Sequence, residues 1–177
     1  MQKRNILGGG LLAAAIALVG VLEGRSLIAY PDAGGVWTIC DGETKGVKRG
    51  DKATPEQCDS QLVKSLIAHN EPLTKLPREL PENVHLAVLD WTYNVGATNA
   101  TRSTLWKYLQ QGNYPAACGE FTKWRFVAGR DCARDKSCTG VYKRRLIERD
   151  LCTGTMTTNQ ALVKLGAEPL AADGATP

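Results

Sequence analysis

Residues 23 to 38 read EGRSLIAYPDAGGVWT. Two short apolar runs, Ser26 to Tyr30 and Val36 to Ile39, flank a Pro31-Asp32-Ala33-Gly34-Gly35 turn, the pattern of a small hairpin or meander. Too few strand-like runs occur for an independent sheet, so these strands must lean on helices. Glu23, Asp32 nine residues later and Thr38 six after that sit at a helix end and on the turns of this hairpin. Three such polar groups can converge on one side of a cleft. Spacing alone leaves the ordinary readings open, because an Asp beside Pro and Gly is usually a turn former and a Glu after an apolar run is usually a helix-end charge.

Upstream, Ile6 to Leu22 is a run of 17 uncharged residues with four Gly, four Ala and nine Leu, Ile or Val. As a helix it is about 26 Å long, slightly short of a hydrocarbon core of roughly 30 Å. Its small residues lower the gain from insertion, so it should leave a bilayer more readily than a Leu-rich span. Lys3 and Arg4 precede it, and the positive-inside rule puts them in the cytoplasm with the rest of the chain outside. Ala15-Ile16-Ala17 admits a rival reading as a cleaved signal peptide, and a buried helix of a soluble domain is a third.

Downstream, Thr54-Pro55-Glu56-Gln57 supplies an N-cap, Pro at N1 and Gln at N3, so a helix starts there. Leu62, Val63, Leu66 and Ile67 give it one apolar stripe until Pro77 and Pro81 interrupt the chain. Shorter helical patterns follow to Leu151. The expected layout is α+β: a small strand-bearing lobe at about 23–53, a connecting helix at about 54–75 and a larger helical lobe at about 77–152, with a cleft between lobes. Residues 153–177 are rich in Thr, Ala and Gly without an aromatic residue and read as a mobile tail, with at most a weak helical turn at Leu162 to Leu165.

The chain has 177 residues and a net charge of +4, and residues 101–150 hold eleven Lys or Arg against five acids. An anionic polymer suits such a surface, whether nucleic acid or bacterial wall, although a basic helical face is often merely solvated. Six cysteines, Cys40, Cys58, Cys118, Cys132, Cys138 and Cys152, point to disulfides outside the cytosol. A metal site is rejected: no CxxC occurs and the histidines are His69 and His85 alone. Fifteen pairings are open to six cysteines. The expected set is Cys40 with Cys58, Cys118 with Cys152, and Cys132 with Cys138, the last closing a short loop.

Glu23-Gly24 and the following Tyr30-Pro31-Asp32 to Trp37-Thr38 resemble the active-site segment of the phage-type lysozymes, glycoside hydrolase family 24. Tyr93-Asn94-Val95-Gly96, Ser103-Thr104-Leu105 with Gly112, Phe121 to Trp124, and Gly140 to Glu148 with Arg144-Arg145 resemble the family's later blocks, in order. The apolar start and the cysteines resemble the signal-arrest-release endolysins within it. The resemblance covers residues 23–152 and implies a two-lobe lysozyme fold and hydrolysis of the β-1,4 bond between N-acetylmuramic acid and N-acetylglucosamine. It implies Glu23 as general acid, Asp32 as second carboxylate and Thr38 as a holder of the attacking water. It further implies Arg144 or Arg145 paired with Glu23, and Tyr93 and Asn94 shaping the cleft floor and meeting sugar.

These roles suit the groups. A general acid at neutral pH needs a carboxyl partly withdrawn from water, and Glu23 directly follows an apolar run. If the family chemistry holds, the anomeric centre is inverted, with a water between two carboxyls. No cofactor and no nucleic acid are implied, and monomer is the default. The chain departs from the family after Thr38, where Ile39-Cys40-Asp41-Gly42-Glu43-Thr44 stands in place of a common Gly-x-Gly-His and adds two acids. The four tryptophans read as core rather than sugar platforms.

The anchor abuts the acid, which suggests an enzyme inactive while residues 6–22 lie in the inner membrane facing the periplasm. Exit, driven by loss of membrane potential, would let the segment join the domain and release it to the periplasm. The domain division expected is therefore anchor 1–22, lysozyme 23–152 and tail 153–177. A lytic transglycosylase, and an anchored wall-binding or membrane-disrupting protein without turnover, stand as rivals.

Overall fold

The computed structural model describes residues 5–32 and 34–171. Lys3 and Arg4, read above as cytoplasmic, and residues 172–177 lie outside the described residues. The apolar run becomes helix α1, Gly9–Glu23, ended by Gly24 in the left-handed conformation at φ 71°, which only glycine adopts without strain. The helix runs across the expected division between residues 22 and 23. Ala14, Ala15, Leu18 and Val19 are buried, and the helix packs against α2 (Pro55–Asn70), α3 (Glu82–Val95) and α8 (Thr158–Lys164). Small Ala and Gly side chains let these helices approach closely. Among the described residues no helix is long and apolar enough to cross a membrane.

Strands β1 (Ser26–Pro31) and β2 (Trp37–Cys40) pair antiparallel, with Tyr30 opposite Thr38 and Pro31 opposite Trp37, and a register irregularity between Ser26 and Tyr30. Their own small core of Ala29, Ile39, Cys40 and Cys58 cannot stand alone. The Cys40–Cys58 disulfide ties this lobe to α2. The capping box read at Thr54 forms as expected: Thr54 Oγ1 accepts from Gln57 N, and the Gln57 side chain accepts from Thr54 N. The helix stops at Asn70, short of the expected 75, and a separate 3-10 turn covers Leu73–Lys75.

At the centre lies α3, buried without interruption from Val84 to Thr92. Against it pack α4 (Ala97–Thr101) and α7 (Thr139–Thr153), while α5 (Thr104–Gln111) packs on α6 (Tyr114–Glu120) and α6 on α7. Trp91 is fully buried, its ring set edge-on to Phe121 and Trp124. Cys118–Cys152 joins α6 to α7, and Cys132–Cys138 closes the loop that follows a two-residue hairpin of β3 (Phe126–Val127) and β4 (Arg130–Asp131). All three expected pairings are present.

Within the stretch expected as a mobile tail, 153–177, the residues Thr158–Lys164 form helix α8. Thr157 and Gln160 make a second capping box at the start of α8, and Ala161 and Leu162 are both 0% exposed. Two buried side chains docked on α1 supply what the segment's composition lacks.

The start of the described chain is also held. Asn5 Nδ2 donates to the carbonyls of Leu73 (2.9 Å) and Arg78 (3.1 Å), and its Oδ1 accepts from Leu80 N (2.7 Å). Asn70 Nδ2 donates to Asn5 O, while Asn70 Oδ1 accepts from His85 Nε2 at 2.6 Å. Asn5→Ala leaves the buried Leu80 amide without its acceptor and is expected to cost about 1–3 kcal/mol in urea unfolding. Burial lowers the His85 imidazole to about 4. Its unfolded value is near 6.5, so between these limits the unfolded chain binds the extra proton. The stability this group contributes is present above about pH 6.5 and is lost as pH falls toward 4, by at most about 1.4 kcal/mol per pH unit. Unfolding free energy measured from pH 7 to pH 4 should fall more steeply in the wild type than in His85→Gln.

Candidate active site

Glu23 is the last residue of α1, and the left-handed turn at Gly24 sends the chain away so that its side chain faces the cleft. There it borders a cavity of about 310 Å³ walled by the loop after β2, by α2 and by the end of α3. Glu23 Oε1 accepts a 2.7 Å hydrogen bond from Arg144 Nη1. Of the two arginines proposed as its partner, Arg144 is the one in contact.

Arg144 itself is 7% exposed and spans two carboxylates. Its Nε and Nη2 grip Asp90 in a fork at 3.1 and 2.8 Å, leaving Nη1 for Glu23. Burial opposes the Arg144 charge, but the Asp90 and Glu23 carboxylates outweigh it and raise its pKa. The cation is therefore permanent. Asp90, 0% exposed on α3, fixes the direction of the guanidinium, which in turn fixes Glu23.

Arg145 Nη2 instead donates to Asn94 Oδ1 at 2.7 Å and lies 3.0 Å from Glu148 Oε1. Full burial pushes the Glu148 carboxyl well above the usual range, with Asp90 adding to the effect and Arg145 opposing it. Glu148 Oε1 sits between the two guanidiniums, 3.6 Å from Arg144 Nε and 3.0 Å from Arg145 Nη2.

The other expected residues divide. Tyr93 and Asn94 line the cavity with Glu23. Tyr93 donates through its hydroxyl to Asp41 O at 3.0 Å, its ring lies 4.9 Å from that of His69, and burial raises its phenol pKa. Asp32 and Thr38 are not in the wall of this cavity. Asp32 stands in the exposed hairpin turn, its Oδ1 accepting from Gly34 N and Val36 N at 2.8 Å each. Among the described residues its Oδ2 has no hydrogen bond. Thr38 is buried in β2 opposite Tyr30, and its hydroxyl donates to Val36 O at 3.1 Å.

Several residues at the site were not singled out by sequence reading. Asp90 has a signal in hindsight: it is the one acid in the apolar run Val84 to Trp91, and a charge so placed needs a buried partner. Gln61, Ser65 and His69 form a polar row at four-residue intervals on α2 facing Glu23. His69 Nδ1 lies 2.8 Å from Ser65 O, which makes Nδ1 the protonated nitrogen. Among the described residues no cluster suited to a metal ion occurs.

The phage lysozyme family matches residues 20–148 of the chain. Over 156 residues the sequence is 36% identical to the SAR-endolysin of Enterobacteria phage P21, covering 82% of this chain and 90% of that protein. It is 41% identical over 122 residues to the SAR-endolysin of Pseudomonas phage phiKMV, covering 68% and 76%. Among solved structures, the endolysin from Escherichia coli O157:H7 phage FAHEc1 superposes with a TM-score of 0.73 at 26% identity, covering 85% of this chain and 98% of that one. The active form of the P1 phage endolysin Lyz has the same fold, with a TM-score of 0.70 at 24% identity over 86% of this chain and 89% of that one. The family match across residues 20–148, with relatives 36% and 41% identical over most of the chain, makes this chain a member of the phage lysozyme family.

Proposed function

We propose that this lysozyme is an endolysin that hydrolyses the β-1,4 bond between N-acetylmuramic acid and N-acetylglucosamine in peptidoglycan, with Glu23 as the general acid. The observation that carries the reading is the Glu23 carboxyl set in the cleft by a buried arginine that is itself set by Asp90. Glu23 delivers its proton to the glycosidic oxygen, and Arg144 then stabilises the carboxylate that is left. Asp32 acts as the base that activates water on the opposite face of the sugar, and Thr38 helps hold that water. The Thr38 proton is used on Val36 O, so its lone pairs are the part free to accept from water. Tyr93 and Asn94 meet the sugar. A single displacement by water inverts the anomeric centre.

The test is proton NMR of the first products from a chitooligosaccharide or a muropeptide oligomer. Inversion of a β-linkage yields the α-anomer before mutarotation. Initial β-anomer contradicts the single displacement, and 1,6-anhydro ends contradict hydrolysis.

The enzyme works as a monomer, exported and first tethered to the inner membrane by residues 6–22, then freed into the periplasm. This is supported by the uncharged run that ends at Glu23 and by the SAR-endolysin names of its relatives. In the folded domain most of the same run forms α1, with Ala14, Ala15, Leu18 and Val19 in the core, so one segment cannot serve both places at once. The tethered chain therefore lacks its first helix and the seat of its acid. Fractionation of cells expressing the full chain should find it with membranes before depolarisation and in the soluble periplasm after. Soluble, active protein in polarised cells would remove the tether.

A further inference from the structure

The two acids by which the chain departs from its family lie in the loop after β2, at the edge of the Glu23 cavity. Asp41 is 3% exposed, although nothing in its loop position calls for burial. Its carboxylate is filled by Arg25: Nε donates to Oδ1 at 3.0 Å and Nη2 to Oδ2 at 2.8 Å. The remaining arm of the same guanidinium, Nη1, donates to Asp59 Oδ1 on α2 at 2.6 Å. Arg25 stands two residues beyond Glu23, so the short segment leaving α1 carries both the acid and the cation.

The ionic bridge runs beside a covalent one. Cys40 is bonded to Cys58, and their chain neighbours Asp41 and Asp59 are joined through Arg25. A disulfide fixes one point of a loop and leaves rotation about it. A second tie one residue on removes that freedom. The Tyr93 hydroxyl, donating to Asp41 O, adds a third anchor from α3. The loop so held lays Gly42 against the acid: a Cβ built on Gly42, where φ is 103°, falls 4.0 Å from Glu23 Oε2. A Cβ built on Gly20 of α1 would likewise fall 3.8 Å from Asp41 Oδ1.

An acid whose two oxygens are already engaged by a guanidinium is a poor base for water, so Asp41 does not replace Asp32. We infer that Arg25 is a positioning residue, which sets the loop 40–43 against Glu23 by joining Asp41 to Asp59. The inference rests on Glu23 being the acid.

The test compares Arg25→Gln, Arg25→Lys, Asp41→Asn and the Arg25→Gln/Asp41→Asn double variant in the full, oxidised chain, by initial rates on peptidoglycan and by thermal unfolding. Arg25→Gln and Asp41→Asn are expected to lower kcat by about 10- to 100-fold with KM unchanged, since the loop stays attached but loses its setting. The double variant should be no worse than either single, as expected of partners in one bridge. Lys keeps the charge without the fork and should restore part of the rate. Should Arg25→Gln fail to fold, Arg25→Lys still reads the loss of the fork. Loss of rate only in proportion to loss of folded protein, a change in KM with kcat intact, or additive singles would each overturn the inference. Full activity in Glu23→Gln would instead remove the acid assignment on which it stands.

Discussion

Glu23→Gln is expected to lower kcat on peptidoglycan by about 10³-fold, within the range that a general acid contributes. The fold should be undisturbed. A glutamine Oε1 still accepts from Arg144 Nη1, and the group stands at a helix end with part of its surface in water. Unfolding temperature and binding to insoluble wall should therefore match the wild type while turnover disappears. Lysis retained by the variant would favour a wall-binding or membrane-disrupting protein without catalysis. Clearing of a wall suspension, read beside sedimentation of bound protein, separates the two.

Arg144→Met has the largest expected effect on stability. Asp90 is 0% exposed and takes both ends of its fork from Arg144, so the substitution leaves a carboxylate buried without its cation. Breaking a buried pair in this way costs about 3–5 kcal/mol. For a chain of this size that corresponds to a fall of roughly 6–20 °C in unfolding temperature. Activity should be lost as well, for a separate reason: Glu23 no longer has the group that orients it. The double variant Arg144→Met/Asp90→Leu removes both buried charges and should recover most of the stability but none of the activity. Recovery of both would mean that Arg144 serves the fold alone.

Where local chemistry decides, the fold could be read from the chain. Thr54 and Gln57 announce α2 because both halves of a capping box lie within four residues. The hairpin follows from its turn residues, and Glu23 is marked by ending the apolar run. The misses have a common cause in contacts between distant parts of the chain. Residues 153–177 look too polar to fold, yet Ala161 and Leu162 become core because α1 provides a surface for them. Asp41 reads as a solvated loop acid, and only Arg25, sixteen residues earlier, makes it a buried one. Asp90 and Arg144 are 54 residues apart, and nothing local pairs them.

The site was legible in the same measure. Glu23, Tyr93 and Asn94 meet at one cavity, and Arg144 rather than Arg145 reaches the acid. Asp32 and Thr38 stay on the hairpin outside that cavity's wall, engaged with main-chain groups of their own turn. Chain order gives the identity of such residues but not the angle at which a short hairpin leans over a cleft. The ties that hold the loop after β2, the Cys40–Cys58 disulfide, the Arg25 bridge and the Tyr93 hydroxyl, lie outside the hairpin's own turn.

The most direct measurement is mass spectrometry of the fragments released from purified peptidoglycan by the full, oxidised chain, with Glu23→Gln run beside it. Fragments with reducing N-acetylmuramic acid ends from the wild type, and none from the variant, are the predicted result. Anhydro ends, or the same fragments from both proteins, would contradict a hydrolase that takes its proton from Glu23.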